Sequence, residues 1–127
     1  VRAAELLSAD IPEIRMELAG LCGPPELEDD LRARLRGAAL VFFDGTLWQD
    51  DEMVQAGLGS KTGKRMGHMS MSGDDGSIAA FADLDVKKKI FVHMNNTNPV
   101  LRPDSSERAD AQAAGWIVGQ DGMEVTP

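Results

Sequence analysis

Apolar residues early in the chain recur at a spacing typical of a helix. Leu27, Leu31 and Leu35 stand four residues apart and are followed by Gly37. This pattern predicts an amphipathic helix over residues 26–35 that ends at a glycine.

Three short continuous apolar runs have the pattern of buried strands instead. They cover residues 39–43 (ALVFF), 89–94 (KIFVHM) and 116–119 (WIVG). The first run is followed directly by Asp44, and the second contains His93 near its end. The sequence therefore predicts polar side chains at the ends of two strands.

The segments between these runs have weaker patterns. Six glycines in residues 55–76 predict a long surface loop with local turns. Residues 77–84 predict a short helix, and Asp104 with Glu107 predicts another helix through Ala114. At the end of the chain, Asp121-Gly122 predicts a turn that returns residues 123–125 as a hairpin. The alternation of helices and strands indicates an α/β fold.

The first 23 residues give no single interpretation. Their apolar residues, Ile14 among them, could line a helix, but Pro12 interrupts the pattern. The chain begins at Val1 without an initiator Met or a signal-peptide pattern, so we expect it to be part of a longer protein. We expect residues 1–127 to form a single domain.

Composition narrows the classes of function. The chain has 127 residues, 43% hydrophobic and 27% charged, and no apolar run long enough to span a membrane. A formal charge of -8 argues against a nucleic-acid partner, and the three lysines at 87–89 are typical of a solvated strand entry. The single Cys22 cannot form an internal disulfide, so we expect a cytoplasmic protein.

Two motifs suggest phosphate chemistry, but neither has the residues and the spacing that this chemistry requires. Asp44-Gly45-Thr46 after a strand resembles the start of a haloacid-dehalogenase-type phosphatase, but the required nucleophilic aspartate two residues earlier is Phe42 here. Residues 59–65 (GSKTGKR) resemble a phosphate-binding loop, but they have too few residues between the glycines and an Arg after the Lys. Neither motif supports a phosphate site.

A third arrangement combines Asp44, His68 and His93. Asp44 and His93 lie at strand ends, which converge in α/β sheets, and His68 lies in the glycine-rich loop, where it could swing over the same crevice. One Asp and two His suit iron, zinc or manganese. The alternatives are a hydrogen-bonded structural role for each histidine. The three methionines around His68 are more typical of loop packing than of copper binding: Met66, Met69 and Met71.

Several sequence blocks in a fixed order resemble one known family. The blocks FFDGTLWQDDEM, KTGKRMGHMSMSG, KIFVHMNNTNPVL and QDGMEV closely resemble the C-terminal part of the coenzyme PQQ synthesis protein B family, in the metallo-β-lactamase-like superfamily. The resemblance runs from about residue 24 to 125, while residues 1–23 match poorly. It implies the C-terminal portion of an αββα sandwich, truncated because the superfamily's H-x-H-x-D-H motif is absent. Apolar strand residues should then be left uncovered, with four candidates: Val41, Ile90, Val92 and Trp116.

The resemblance also implies roles for the three candidate residues. Asp44 would be a metal ligand, bridging where two metals are bound, and His93 the last metal-ligand histidine. His68 would be a catalytic proton donor. The implied metal is iron, with zinc as the alternative, and the half-site in this chain should hold it weakly.

The implied function is a step in the biosynthesis of pyrroloquinoline quinone (PQQ) from a peptide that contains Glu and Tyr. One account is an iron-dependent hydroxylase acting on the tyrosine ring, and the other is a soluble carrier in the transport of PQQ or its precursor to the periplasm. An open Asp/His site favours the enzyme, although we expect this chain alone to be inactive. Neither nucleic acid nor a membrane is an expected partner, and a homodimer is one expectation for the assembly.

Overall fold

The computed structural model describes residues 14–16 and 29–126, and its centre is a parallel β-sheet. The sheet has four strands in the order β1-β2-β3-β4, and each neighbouring pair is parallel. Parallel neighbours need long crossover connections, which the intervening helices and loops supply. The strands are β1 (Ile14–Met16), β2 (Leu40–Asp44), β3 (Lys88–Val92) and β4 (Trp116–Val118).

This sheet confirms the predicted α/β class and the three predicted strands. The helical interpretation around Ile14 is wrong, because Ile14–Met16 pairs with β2. The other residues among the first 23 lie outside the described ranges.

The helices agree with the predictions in position more than in length. They are α1 (Asp29–Leu35), α2 (Glu52–Gln55), α3 (Ser77–Ala80) and α4 (Ser106–Ala113), with 3-10 turns at Lys64–Met66 and Pro99–Leu101. Of the helix predicted over residues 77–84, only the first turn forms, at Ser77–Ala80. Residues 26–28 of the first predicted helix lie outside the described ranges. Within these ranges, no helix is long and apolar enough to cross a membrane.

The predicted start of the last helix is one residue too early. Ser105, and not Asp104, is the N-cap of α4, and its side chain accepts a hydrogen bond from the Arg108 backbone N–H at 3.1 Å. A serine hydroxyl in this position satisfies one of the unpaired N–H groups of the first helical turn.

The predicted hairpin at the end of the chain is wrong. A turn does form, with the Met123 N–H donating to the Gln120 carbonyl at 3.0 Å, but residues 119–126 form no strand. The chain leaves the sheet at Gly119, where a Cβ atom would lie 2.7 Å from the Phe91 carbonyl oxygen. The tail that follows lies over the sheet, where the Lys88 ammonium donates to the Thr126 carbonyl.

One face of the sheet carries the core. Trp116 is buried and its indole stacks on the Phe91 ring with centroids 3.8 Å apart and planes within 10°. Phe81, just after α3, meets the indole edge-on at 5.0 Å, and Phe43 lies beside Phe81 at 4.9 Å. Such aromatic contacts add to the free energy gained from burial.

The other face is less well covered. Of the four residues expected to be uncovered, Val41, Ile90 and Trp116 are buried and Val92 is half-buried. Because side chains alternate along a strand, Val41 and Phe43 face the helices. The partly open surface consists of Phe42 and Val92, which are half-buried, and Ile117, which is 38% exposed.

An ion pair fastens the first helix to the turn after α3. Arg32 donates to both Asp83 carboxylate oxygens, at 2.8 and 3.0 Å, and to the Ala80 carbonyl at 2.9 Å. The hydrogen bond from Arg32 is the main reason that the pKa of Asp83 lies below its usual value. The interaction fixes α1 over the core face.

The aromatic stack predicts a sharp difference between two substitutions of Trp116. Trp116→Ala should lower the free energy of unfolding by about 3–5 kcal/mol, since it opens a cavity between three aromatic rings. Trp116→Phe should cost much less, because the buried indole N–H that it removes has no hydrogen-bond partner in the described part of the chain. Urea unfolding of both variants measures this, and equal losses would contradict the stacking argument.

Candidate functional site

The candidate site lies where β2 and β3 end. Asp44 is the last residue of β2, and His93 directly follows β3. The pairing continues one step past the strands, because the Gly45 N–H donates to the Val92 carbonyl at 2.8 Å. Parallel strands thus bring the two polar residues to the same edge of the sheet, as predicted.

The Asp44 carboxylate lies between the two histidines. Its Oδ2 is 2.9 Å from Nδ1 of His68, and its Oδ1 is 3.2 Å from Nδ1 of His93. The imidazole rings lie 6.0 Å apart and within 28° of parallel. The Asp44 side chain is buried, that of His68 is 13% exposed and that of His93 is 53% exposed. The structure therefore brings all three predicted residues together, with His93 open to solvent.

Thr46 completes the set of contacts. Its hydroxyl donates to Asp44 Oδ1 at 2.6 Å and also lies 2.9 Å from His93 Nδ1. The same hydroxyl lies 3.1 Å from the His93 carbonyl oxygen, so Thr46 contacts both the backbone and the ring of His93. Nδ1 of His93 is thus within hydrogen-bond distance of both Thr46 and Asp44.

The donor set suits a transition metal only in part. Carboxylate and imidazole are ordinary ligands of zinc and iron. Within residues 14–16 and 29–126, however, no three His, Cys, Asp or Glu side chains are arranged so that they could hold an ion by themselves. Asp44 and His93 fit as part of a ligand set that further residues must complete.

The loop that carries His68 is held in place by several backbone contacts. The His68 N–H donates to the Gly63 carbonyl at 2.8 Å, and the Gly63 N–H donates to the Asp50 carbonyl at 2.7 Å. Lys64 pairs with Asp75 across the loop, and this hydrogen bond lowers the pKa of the Asp75 carboxyl. These contacts link the backbone around His68 to Asp50 and Gly63.

The methionines near His68 pack the loop against the domain. Met69 and Met71 are buried in the core, and Met66 is half-buried. The Met71 sulfur lies 3.2 Å from the amide nitrogen of Asn98, which donates to it. This arrangement confirms the packing role.

His93 has an unusual backbone conformation. Its φ is +62°, in the left-handed region that residues other than glycine rarely occupy. Hydrogen bonds flank it on both sides, from the Gly45 N–H to the Val92 carbonyl and from the Asn95 N–H to the Thr46 carbonyl at 3.0 Å. Strained conformations persist where the surroundings fix them, and they concentrate at functional sites.

Asn98 is a further residue that orders the site. Its side chain is buried, donates to the Gly45 carbonyl at 2.8 Å and accepts from the Val100 N–H at 3.0 Å. The predictions from sequence assign no role to Asn98 or to Thr46. The Thr two residues after Asp44 is visible in the Asp-Gly-Thr motif and could have indicated a hydroxyl near the carboxylate.

A pocket of about 260 Å³ opens beside His93 on the less covered face of the sheet. Its walls are mostly apolar, with Gln120 and Asp121 among the polar residues of the tail. The apolar lining comes from the sheet, the loop after β3 and the tail: Phe42, Ile90, Val92, Met94, Met123 and Val125.

Comparison with known proteins gives a consistent result. Residues 18–94 match the model of the beta-lactamase superfamily domain, which is more than half of the chain. The coenzyme PQQ synthesis protein B of Gluconacetobacter diazotrophicus is 64% identical over 104 residues, which cover 82% of this chain and 34% of that protein. The protein of the same name from Xanthomonas campestris pv. campestris strain B100 is 55% identical over 122 residues, 96% of this chain and 41% of that protein.

A solved structure agrees with these relatives. The crystal structure of Zn(2+)-bound PqqB from Methylobacterium extorquens superposes with a TM-score of 0.80 at 47% sequence identity, covering 87% of this chain and 38% of that one. The chain thus spans between 34% and 41% of the length of these relatives. The matches confirm the resemblance to coenzyme PQQ synthesis protein B, and the chain belongs to the beta-lactamase superfamily.

Proposed function

We propose that this chain forms part of a protein of PQQ biosynthesis in which Asp44 and His93 hold a metal ion and His68 transfers protons. The observation that carries the proposal is the buried Asp44 carboxylate, with an imidazole nitrogen within 3.2 Å of each of its oxygens. The names of the relatives and the Zn²⁺ bound to PqqB of Methylobacterium extorquens support it.

The proposed reaction is hydroxylation of a tyrosine ring in a peptide precursor that contains Glu and Tyr, in which one atom of dioxygen would enter the ring and the other would leave as water, with two electrons from an external reductant. Iron would supply the redox chemistry that dioxygen requires, which zinc lacks. Asp44 and His93 would fix the ion at the ends of two paired strands, the rigid positions that ligand geometry demands. This chain supplies few ligands, so the full-length protein is needed to complete the site.

His68 suits a role on the substrate side of the site. Its Nδ1 meets Asp44 Oδ2, so the ring is oriented by a carboxylate and Nε2 remains free for proton transfer. The apolar pocket beside His93 would take the aromatic ring of the precursor. We further propose a cytoplasmic location, a homodimeric assembly, and a single domain over residues 1–127 that forms the C-terminal part of the fold.

A soluble carrier for PQQ or its precursor is the second candidate function. The pocket favours it, since a carrier needs an apolar cavity for a planar ligand and needs no reacting group. A carrier keeps its affinity for the quinone when a metal ligand is removed, whereas a hydroxylase loses turnover.

The first functional prediction concerns His93. In a full-length protein that carries this sequence, His93→Ala should abolish ferrous-iron binding and the oxygen-dependent change of the peptide, because one ligand of an incomplete set is lost. Metal analysis and mass spectrometry of the peptide measure the two effects.

Asn96→Ala is the matched control, since Asn96 lies in the same loop with an exposed side chain. It should keep both iron and turnover. Full iron content and activity in His93→Ala would contradict the ligand assignment, and quinone binding without any turnover in the unmodified protein would favour the carrier.

The second functional prediction separates the role of His68 from that of the ligands. His68→Ala should retain stoichiometric iron and lower turnover by roughly 100-fold, the usual scale for a general acid–base group. Single-turnover kinetics on iron-loaded protein measures this. Loss of iron would make His68 a ligand, and unchanged turnover would reduce it to a structural residue.

A further inference from the structure

We propose that Glu52 is the residue that positions His93, although it lies outside the candidate site itself. Two segments meet here, which we call the Asp44 loop (residues 45–51) and the His93 loop (residues 93–98). Glu52 directly follows the first segment and reaches the second through its carboxylate. The inference deepens the proposed function and rests on it for its link to metal binding.

The carboxylate of Glu52 makes contacts on both sides. Oε1 accepts hydrogen bonds from the backbone N–H groups of Trp48 and Gln49, the latter at 3.0 Å. Oε2 accepts from the Thr97 hydroxyl at 2.7 Å. One half-buried anion therefore holds two backbone donors of the Asp44 loop and one side chain of the His93 loop, with charge-assisted bonds that are stronger than neutral ones.

The contact extends from Thr97 toward His93. The Thr97 hydroxyl oxygen accepts a hydrogen bond from the side-chain amide of Asn95 at 2.6 Å. The backbone N–H of Asn95 donates to the Thr46 carbonyl. Asn95 lies two residues after His93. The chain of hydrogen bonds from Glu52 thus ends at the backbone that fixes the left-handed conformation of His93.

This arrangement gives Glu52 a specific task. A residue at φ +62° relaxes when the contacts around it loosen, because an L-residue favours negative φ. Relaxation would turn the His93 imidazole away from Asp44 and Thr46. Residues that orient ligands in this way typically change metal affinity or activity by 10–100-fold when they are replaced.

The test measures Zn²⁺ affinity of the full-length protein by competition with a chromogenic chelator. Glu52→Ala and Thr97→Val should each lower the affinity by about 10–100-fold, and the double variant should be no worse than the poorer single one, since both break the same link. Glu52→Gln should restore most of the affinity, because its amide keeps an acceptor for the backbone donors and offers a donor to Thr97.

Asp51→Ala is the matched control. It removes the neighbouring carboxylate, which accepts a hydrogen bond from Gln55 at 2.7 Å, and should leave Zn²⁺ affinity unchanged. Circular dichroism melts ensure that all affinities are measured on folded protein. Unchanged affinity in Glu52→Ala and Thr97→Val, with a loss in His93→Ala, would overturn the role of Glu52 while the proposed metal site stands.

A crystal structure of Glu52→Ala distinguishes a failure of the role proposed for Glu52 from a failure of the proposed metal site. If His93→Ala also leaves Zn²⁺ affinity unchanged, the proposed metal site fails. The position of the His93 side chain in the Glu52→Ala structure then tests the role of Glu52 independently of metal binding. An imidazole moved away from Asp44 supports the inference, and an imidazole in its original place with positive φ overturns it.

Discussion

A carboxylate removed from water is the constraint around which this part of the molecule is organised. Asp44 is fully buried, and an ionised group in such a place is costly unless it is paired or hydrogen-bonded. The hydroxyl of Thr46 and the imidazoles of His68 and His93 meet that requirement from three directions. The groups that satisfy the carboxylate are also those capable of chemistry, so stability and function depend on the same contacts.

The parallel sheet explains why these groups meet. In register, Asp44 lies beside Val92, so the residues that follow the two strands leave the sheet side by side. Gly45 is needed at this point, because a Cβ atom there would lie 3.0 Å from Cβ of Phe91. A larger residue would push the Asp44 loop away from β3 and separate the carboxylate from His93.

The strands and the proximity of Asp44 and His93 were predictable. In an α/β protein, an apolar run that ends in a polar residue indicates a buried strand with a polar side chain at the edge of the sheet where ligands bind. The link between Glu52 and Thr97 was not, since these residues are 45 positions apart and pair only through the folded loops. The predicted hairpin failed for a similar reason. Its turn formed locally at Gln120–Met123, but residues 119–126 form no strand, and the Thr126 carbonyl is bound by the Lys88 ammonium, 38 positions away.

The glycine-rich sequence around His68 indicates conformational freedom. A Cβ atom on Gly63 would nevertheless lie 2.7 Å from the end of the buried Leu47 side chain. Local composition does not report such contacts. The buried methionines were the better signal, because thioether side chains fill irregular gaps in a core.

The order of the strands also affects how this region can fold. β2 pairs with β3 from Leu40 to Lys88, a separation of 48 residues, and β3 pairs with β4 from Lys89 to Trp116, a separation of 27. Distant pairings form slowly, because a long loop must close before they contribute. During synthesis, β2 emerges well before β3, so the edge of β2 that will pair with β3 stays open for that interval, which is when such segments aggregate. The apolar run before Asp44 is therefore the part of this sequence where substitutions that favour β-structure further would reduce the yield of folded protein.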